Sequence, residues 1–521
     1  MRSVSFIIAL ALAATPVAAQ VRTVSLEEAI ALADRSSESI EIARAAVARA
    51  NGQQIIARSQ FLPQLNMQAS YARTLASQFE GFSFGGPDTN TFRSLCAPAI
   101  PPTATPAERQ AALDQARTCA AVGGGPDFSS VGFGALNQWT FGLQFSQSIF
   151  SGGRNTGMRT AAGAGRRVAD IELTAQRAQN ILEITQAYYN TVLADRLASI
   201  AEATVAMSDA VLRQTTRARQ VGSTSEFELI RAQVARDNQV PVMLQRQSER
   251  TIAMLRLKQM LELPLDDSLV LTTSIDDAPV TPMAVAMDTA ARVAGDTAVD
   301  SRATVRQSEA NVRAQEGLLR AARADRWPNL SLTSGYQRLF FPQDVFPQFS
   351  DYRENWTIGV TANVALFSGG RIRGSVLQAQ ANLREARARH LQTREFAALD
   401  SRIALNQLAQ AEAMFRASQG TAEQARRAYS IDEIRYREGI STQTDLTQSR
   451  LLVEQAMVNR AVAARDLAVA RMRVALLKDL PLGASGAGVA PQAGAMSAPM
   501  TPTPQAPGVA ASAPISGSNQ Q

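Results

Sequence analysis

The sequence predicts an α+β membrane protein made of two internal repeats, in which four β-strands per chain contribute to an oligomeric transmembrane β-barrel and long α-helical coiled-coil hairpins run away from it. Three observations carry this expectation: a unit of sequence recurs at a constant offset, apolar and polar residues alternate in four short stretches, and one stretch free of proline and glycine is too long for an ordinary globular helix.

The repeat organises everything else. Trp139-Thr140-Phe141-Gly142 recurs as Trp356-Thr357-Ile358-Gly359, and Phe150-Ser151-Gly152-Gly153-Arg154 as Phe367-Ser368-Gly369-Gly370-Arg371, both displaced by 217. The same displacement carries Gly222 to Gly439 and Leu263-Pro264-Leu265 to Leu480-Pro481-Leu482. No insertion separates the copies over that span, as a helical hairpin of fixed length requires. Upstream the displacement is 265, matching Ala57, Arg58, Pro63, Leu65 and Tyr71 to Ala322, Arg323, Pro328, Leu330 and Tyr336, so the first copy holds 48 more residues (265 less 217) before Trp139.

Taken in order, residues 1–19 read as a signal peptide, from the positive start at Arg2, the apolar run Phe6 to Ala14 and the small residues Val17-Ala18-Ala19. The first repeat, 20–265, opens with a helix that Ser25 and Glu28 cap and that continues to about Ser59, before Pro63. Leu65, Met67, Ala69 and Tyr71 then alternate with polar residues, and Trp139, Phe141, Leu143 and Phe145 do the same. Each strand has about the length of a tilted spanning strand, roughly 9 to 11 residues, with Tyr or Trp near its ends. Alternation alone fits a half-buried soluble sheet equally well. Between the strands, 75–137 is rich in Gly and Pro and reads as a long loop; it holds both cysteines, Cys96 and Cys119, for which a disulfide is the expectation in an exported chain and two free thiols the alternative.

From Asn155 to Val221 about 67 residues should form one helix of about 100 Å. Val168, Ile171, Ala175, Ala178, Leu182, Tyr189 and Val192 mark a coiled-coil seam along it, as Val453, Ala456, Ala463, Leu467, Ala470, Val474 and Leu477 do in the second copy. Turns at Gly222 and Gly439 reverse the chain, and Pro241 interrupts the returning helix of the first copy only. A linker at 266–290 leads to the second repeat, 291–482, with strand series Leu330, Leu332, Tyr336 and Trp356, Ile358, Val360, Val364. The tail, 483–521, is nearly uncharged and reads as disordered.

A formal charge of +6 raises the question of nucleic acid, but the arginines are scattered at helical spacing among Glu, Asp and Gln, which describes a solvated face. The sole histidine, His390, falls on a helical run and is expected on such a face. No metal-ligand cluster, phosphate loop or nucleophile elbow is present, so no cofactor and no enzymatic activity are expected.

The doubled order of helix, strand, strand and long hairpin, with Phe-Ser-Gly-Gly-Arg after the second strand and a glycine turn followed by an acidic residue and leucine, resembles the TolC family of outer-membrane efflux and secretion channels over about Ser25 to Leu482. The corners at Ala57 to Pro63 and Ala322 to Pro328 share the likeness. The resemblance implies a homotrimer with a twelve-stranded barrel in outer-membrane lipid, a periplasmic helical tunnel, and assembly with a periplasmic adaptor and an inner-membrane pump of the RND, ABC or MFS type. It implies adaptor contact at the tips Gly222 and Gly439. Its entrance acids correspond to Asp445 and to Gln448, which departs from the acidic pattern; its gate tyrosine to Tyr436, its gate acid to Glu228, and its gate arginine to Ser441. Asp445 and Glu228 could instead only cap their helices, for about 0.3–1 kcal/mol each. The resemblance covers drug efflux and type I protein secretion alike. A structural coiled-coil protein of the periplasm or surface, with soluble strands and no channel activity, is the alternative.

Overall fold

The computed structural model describes residues 22–76, 100–122, 136–275, 299–342 and 352–483. The leader, Cys96, the side chain of Cys119 and the tail beyond Gly483 lie outside the described residues, and the expectations made for them rest there.

Strand β1 (Arg22–Val24) precedes helices α1 (Leu26–Ser36) and α2 (Glu38–Ser59). The expected cap forms, with the Ser25 hydroxyl accepting from the Glu28 amide. The single helix expected up to Ser59 is broken at Ser37, whose ψ of 118° leaves the helical region. Serine chemistry explains the break. The Ser36 hydroxyl donates back to the Leu32 carbonyl and the Ser37 hydroxyl meets that of Ser39, local bonds that compete with the helical ladder.

Strand β2 (Gln64–Arg73) follows Pro63, and helix α3 (Pro106–Val122) lies inside the stretch expected to be loop. Its start is a capping box set among prolines. The Thr105 hydroxyl and amide each donate to the Glu108 carboxylate at 2.8 Å, and Pro106 occupies the first turn, where a missing N–H leaves no bond unmade.

Strand β3 (Asn137–Phe150) leads into α4 (Arg154–Gln220), an unbroken helix of 67 residues. The chain returns as α5 (Glu226–Asp237) and α6 (Gln239–Met260). Pro241 accounts for the division, because it has no N–H for the Asp237 carbonyl, where α5 ends. Strand β4 (Leu269–Leu271), within the expected linker, pairs in parallel with β1; three residues are too few to leave a periodic signal. The second copy comprises α7 (Ala303–Ala324), β5 (Asn329–Phe340), β6 (Tyr352–Asn363), α8 (Arg371–Arg437) and α9 (Gln443–Leu476). Helix α8 also has 67 residues, and both its ends are those of α4 displaced by 217. Val458 stands where the first copy has Pro241, and α9 runs through it without a break.

The largest apolar core lies where the hairpin arms end, against the middle of α4. Leu182, Ile184, Tyr188 and Tyr189 pack there with Val24, Ile30, Leu257, Leu261, Met472 and Leu480. The buried Tyr188 hydroxyl donates to the Val24 carbonyl and accepts from the Thr273 amide, both at 3.0 Å, tying β1 and the segment after β4 to the long helix. Most seam residues expected from spacing are buried, among them Ile171, Ala175, Ala178, Leu182, Val453, Ala456, Leu467 and Val474. His390 departs from its expected solvated position: it is half-buried on α8, its Nδ1 2.9 Å from the Ser308 hydroxyl of α7. Among the described residues no helix is long and apolar enough to cross a membrane.

Candidate functional site

Two regions at opposite ends of the long helices carry the features expected of function. The first is the sheet. Its order is β2-β3-β5-β6 and every pairing is antiparallel. The register brings the alternating series into line: Met67, Leu143, Tyr336 and Trp356 stand side by side, as do Tyr71, Trp139, Phe340 and Tyr352. One face is therefore apolar from edge to edge. The other presents Gln68, Gly142, Gln337 and Asn355 in the row between them.

Aromatic rings gather at the strand ends away from the long helices, with Tyr71 and Trp139 centred 4.9 Å apart and Phe340 and Tyr352 6.1 Å apart. One ion pair shares the apolar face with them. Arg338 reaches Glu354 at 2.9 Å and the Tyr336 hydroxyl at 2.7 Å, and its guanidinium carbon lies 4.2 Å from the centre of the Tyr352 ring. The two charges and the hydroxyl satisfy one another inside an aromatic frame. Strands β2 and β6 each have one edge without a partner strand among the described residues.

The second region is the tip where the hairpins turn. Gly222 and Gly439 both adopt a φ of +75°, which a side chain would strain. Each turn closes with the same bond, from the Ser223 amide to the Ala218 carbonyl at 2.9 Å and from the Ile440 amide to the Arg435 carbonyl at 2.8 Å. Val221, Phe227 and Ile440 are exposed around these turns.

Glu228 and Asp445 occupy equivalent positions after the two turns. Ser225 caps the Glu228 amide at 3.3 Å, and Thr442 caps that of Asp445 at 3.3 Å. The Asp445 carboxylate in turn accepts from the Thr442 hydroxyl at 2.7 Å and from its amide at 3.0 Å. These bonds, the hydroxyl first, hold the Asp445 carboxyl below the usual carboxylate range. Asp445 thus caps its helix and still stands exposed one turn from Gln448, which is exposed too.

Tyr436 and Glu228 are not joined to each other. The Tyr436 hydroxyl meets the Thr215 hydroxyl at 3.2 Å, across the two hairpins. The Glu228 carboxylate is taken by the amide of buried Gln443, which, with its nitrogen turned toward Glu228, also donates to the Glu228 carbonyl and accepts from the Ala232 amide, each at 3.2 Å. The Ser441 hydroxyl is buried with no hydrogen-bond partner. Arg450, only 6% exposed, donates to the Ser208 hydroxyl of α4, and burial pushes its guanidinium below the usual arginine range. Thr215, Gln443 and Arg450 therefore join the hairpins, and none was marked by a motif. The one sign in the sequence is that Arg450 continues the seam backward from Val453 by three residues and onward to Leu446 by four.

A family model described as "Outer membrane efflux protein" matches residues 107–262 and 295–477. No curated protein matches the sequence. Among solved structures, the CmeC outer membrane channel of Campylobacter jejuni is similar at a TM-score of 0.65 and 19% identity, over 88% of this chain and 86% of that one. The outer membrane protein VceC of Vibrio cholerae is similar at 0.64 and 17%, over 87% and 95%. The open-state MtrE outer membrane channel of Neisseria gonorrhoeae is similar at 0.63 and 15%, over 88% and 89%. At these identities the likeness is one of fold.

Proposed function

The chain belongs to the outer membrane efflux protein family, and on that premise we propose that it is one protomer of a homotrimeric, passive export duct. Its four strands and those of two sister copies close a twelve-stranded barrel in the outer membrane, and its hairpins extend the bore through the periplasm. The observation that carries this reading is a four-stranded sheet with one apolar face and, among the described residues, two edges without a partner strand. Hydrocarbon cannot satisfy the backbone groups of an open edge, and bacterial barrels begin at about eight strands, so the sheet must be completed by other copies. The exposed apolar turns at Gly222 and Gly439 fit a periplasmic adaptor, which would couple the duct to an inner-membrane pump supplying the energy.

At the tip, Asp445 faces the narrow entrance and attracts cations, while the contacts Thr215–Tyr436 and Gln443–Glu228 hold the hairpins together in the closed arrangement. The duct is tested by extracting the protein from outer membranes in detergent, weighing the particle by light scattering and recording from it in planar bilayers. A three-chain particle with discrete conductance is expected; a lone water-soluble chain that conducts nothing would overturn the reading. In the same bilayers Asp445→Asn is expected to weaken block by multivalent cations several-fold, and unchanged block would remove Asp445 from the entrance.

A further inference from the structure

The duplication leaves one helix crossing made within the chain and its counterpart unmade. Helix α4 crosses α7 at Gly157 and Gly317, both buried. A Cβ on Gly157 would stand 2.5 Å from the Gly317 carbonyl oxygen and 2.7 Å from the Ala321 amide nitrogen, and one on Gly317 would stand 2.6 Å from the Gly157 oxygen. Both obstacles are backbone, so only glycine permits this approach. Displacing Gly157 by 217 gives Gly374 on α8, and displacing Gly317 back by 265 gives Gly52 on α2. All four positions are glycine, yet a Cβ on Gly374 or Gly52 would meet nothing within 4 Å. Glycine weakens a helix relative to alanine, and here two are retained facing open space.

The surroundings point the same way. Thr160 and Ala321 flank the closed crossing, and their counterparts are Leu377 and Ile56, which are 56% and 64% exposed. Gly152 repeats the pattern: the Ala324 carbonyl oxygen lies 2.7 Å from its would-be Cβ, while nothing lies near its counterpart Gly369.

We propose that α8 of each chain crosses α2 of a second copy at Gly374 and Gly52, burying Leu377 and Ile56. A second copy is the occupant because the missing surface, the face of α2 around Gly52, is the counterpart of the α7 face that already receives α4. The contact is head-to-tail, with α8 offered on one flank and α2 on the other, which excludes a two-fold pair and gives a ring when the rotation closes, as the barrel of the proposed duct requires. The inference rests on the multi-copy duct proposed above and assigns the residues at which its copies touch.

Cysteines introduced together by Ile56→Cys and Leu377→Cys, in a chain carrying Cys96→Ser and Cys119→Ser, test it in oxidised native outer membranes. Covalent dimers and trimers are expected on denaturing gels, reversed by reductant and absent from either single variant. A three-chain particle whose two introduced thiols remain free overturns the crossing and leaves the duct standing, whereas a single-chain particle overturns the duct itself. Gly374→Leu is expected to lower the assembled fraction at least ten-fold while the separated chain keeps its helical circular dichroism; unchanged assembly in that variant also overturns the crossing.

Discussion

Asp400→Leu is expected to destabilise the detergent-solubilised protein by about 3–5 kcal/mol, the usual cost of leaving one member of a buried ion pair without its partner. Arg302, just before α7, is fully buried; its Nη2 donates to the Asp400 carboxylate of α8 at 2.7 Å and its Nη1 to the Ser401 hydroxyl at 3.0 Å. Arg473 on α9 is a second cation in the same surroundings, lowered by burial and supported by the Asp400 charge. Removing the carboxylate would therefore strand the Arg302 guanidinium away from water and take a supporting charge from half-buried Arg473, which keeps its bond to the Gln407 side-chain carbonyl. The shift in denaturant midpoint measures the loss, and adding Arg302→Met should recover much of it, because an apolar pair replaces the ionic one. A loss below about 1 kcal/mol would show that the pair is not holding α7 to α8.

Ile358→Arg is expected to remove most of the protein from the outer membrane. Ile358 lies mid-strand on the apolar face of β6 and is 76% exposed in the single chain. An arginine on the lipid face near the bilayer midplane costs about 2–4 kcal/mol for each copy. Thr357, its neighbour on the polar face, provides the control: Thr357→Arg should insert normally and reduce conductance by narrowing the bore. Extraction of washed membranes separates inserted from peripheral protein. Equal insertion of the two variants would mean that the faces are assigned the wrong way round.

What the sequence made legible follows from how local each signal is. The glycine pair before Arg154 and the single glycine at the turn bounded the first long helix to within a residue, because left-handed backbone is demanded there and nowhere between, and the second helix repeats both ends 217 residues on. Strand alternation located all four strands of the larger sheet, since a period of two survives in a sheet with unlike faces, and it missed β1 and β4. The break at Ser37 escaped because the helical spacing is continuous on both sides of it, and α3 because its capping box lies among prolines. The contacts joining the hairpins at Thr215, Gln443 and Arg450 were beyond reach for a different reason. They depend on how two helices are rotated against each other, which spacing along either one does not specify. Duplication was informative where the copies agree, and also where they differ, as at Pro241 and Val458.

The parallel pairing of β1 with β4 bears on how the polypeptide acquires its shape. Leu26 and Thr273, which bond just beyond those strands, are 247 positions apart, whereas each arm of a hairpin finds its neighbour through a turn of a few residues. Nearby partners meet quickly and distant ones late. The rods should thus zip up early, while the collar around Tyr188 waits until more than half of the newly exported thread has crossed the inner membrane. During that interval the greasy side of α4 around Leu182 has no Val24 or Leu271 against it, and it is then, before any pore exists, that a protease or a holding chaperone would find its opportunity.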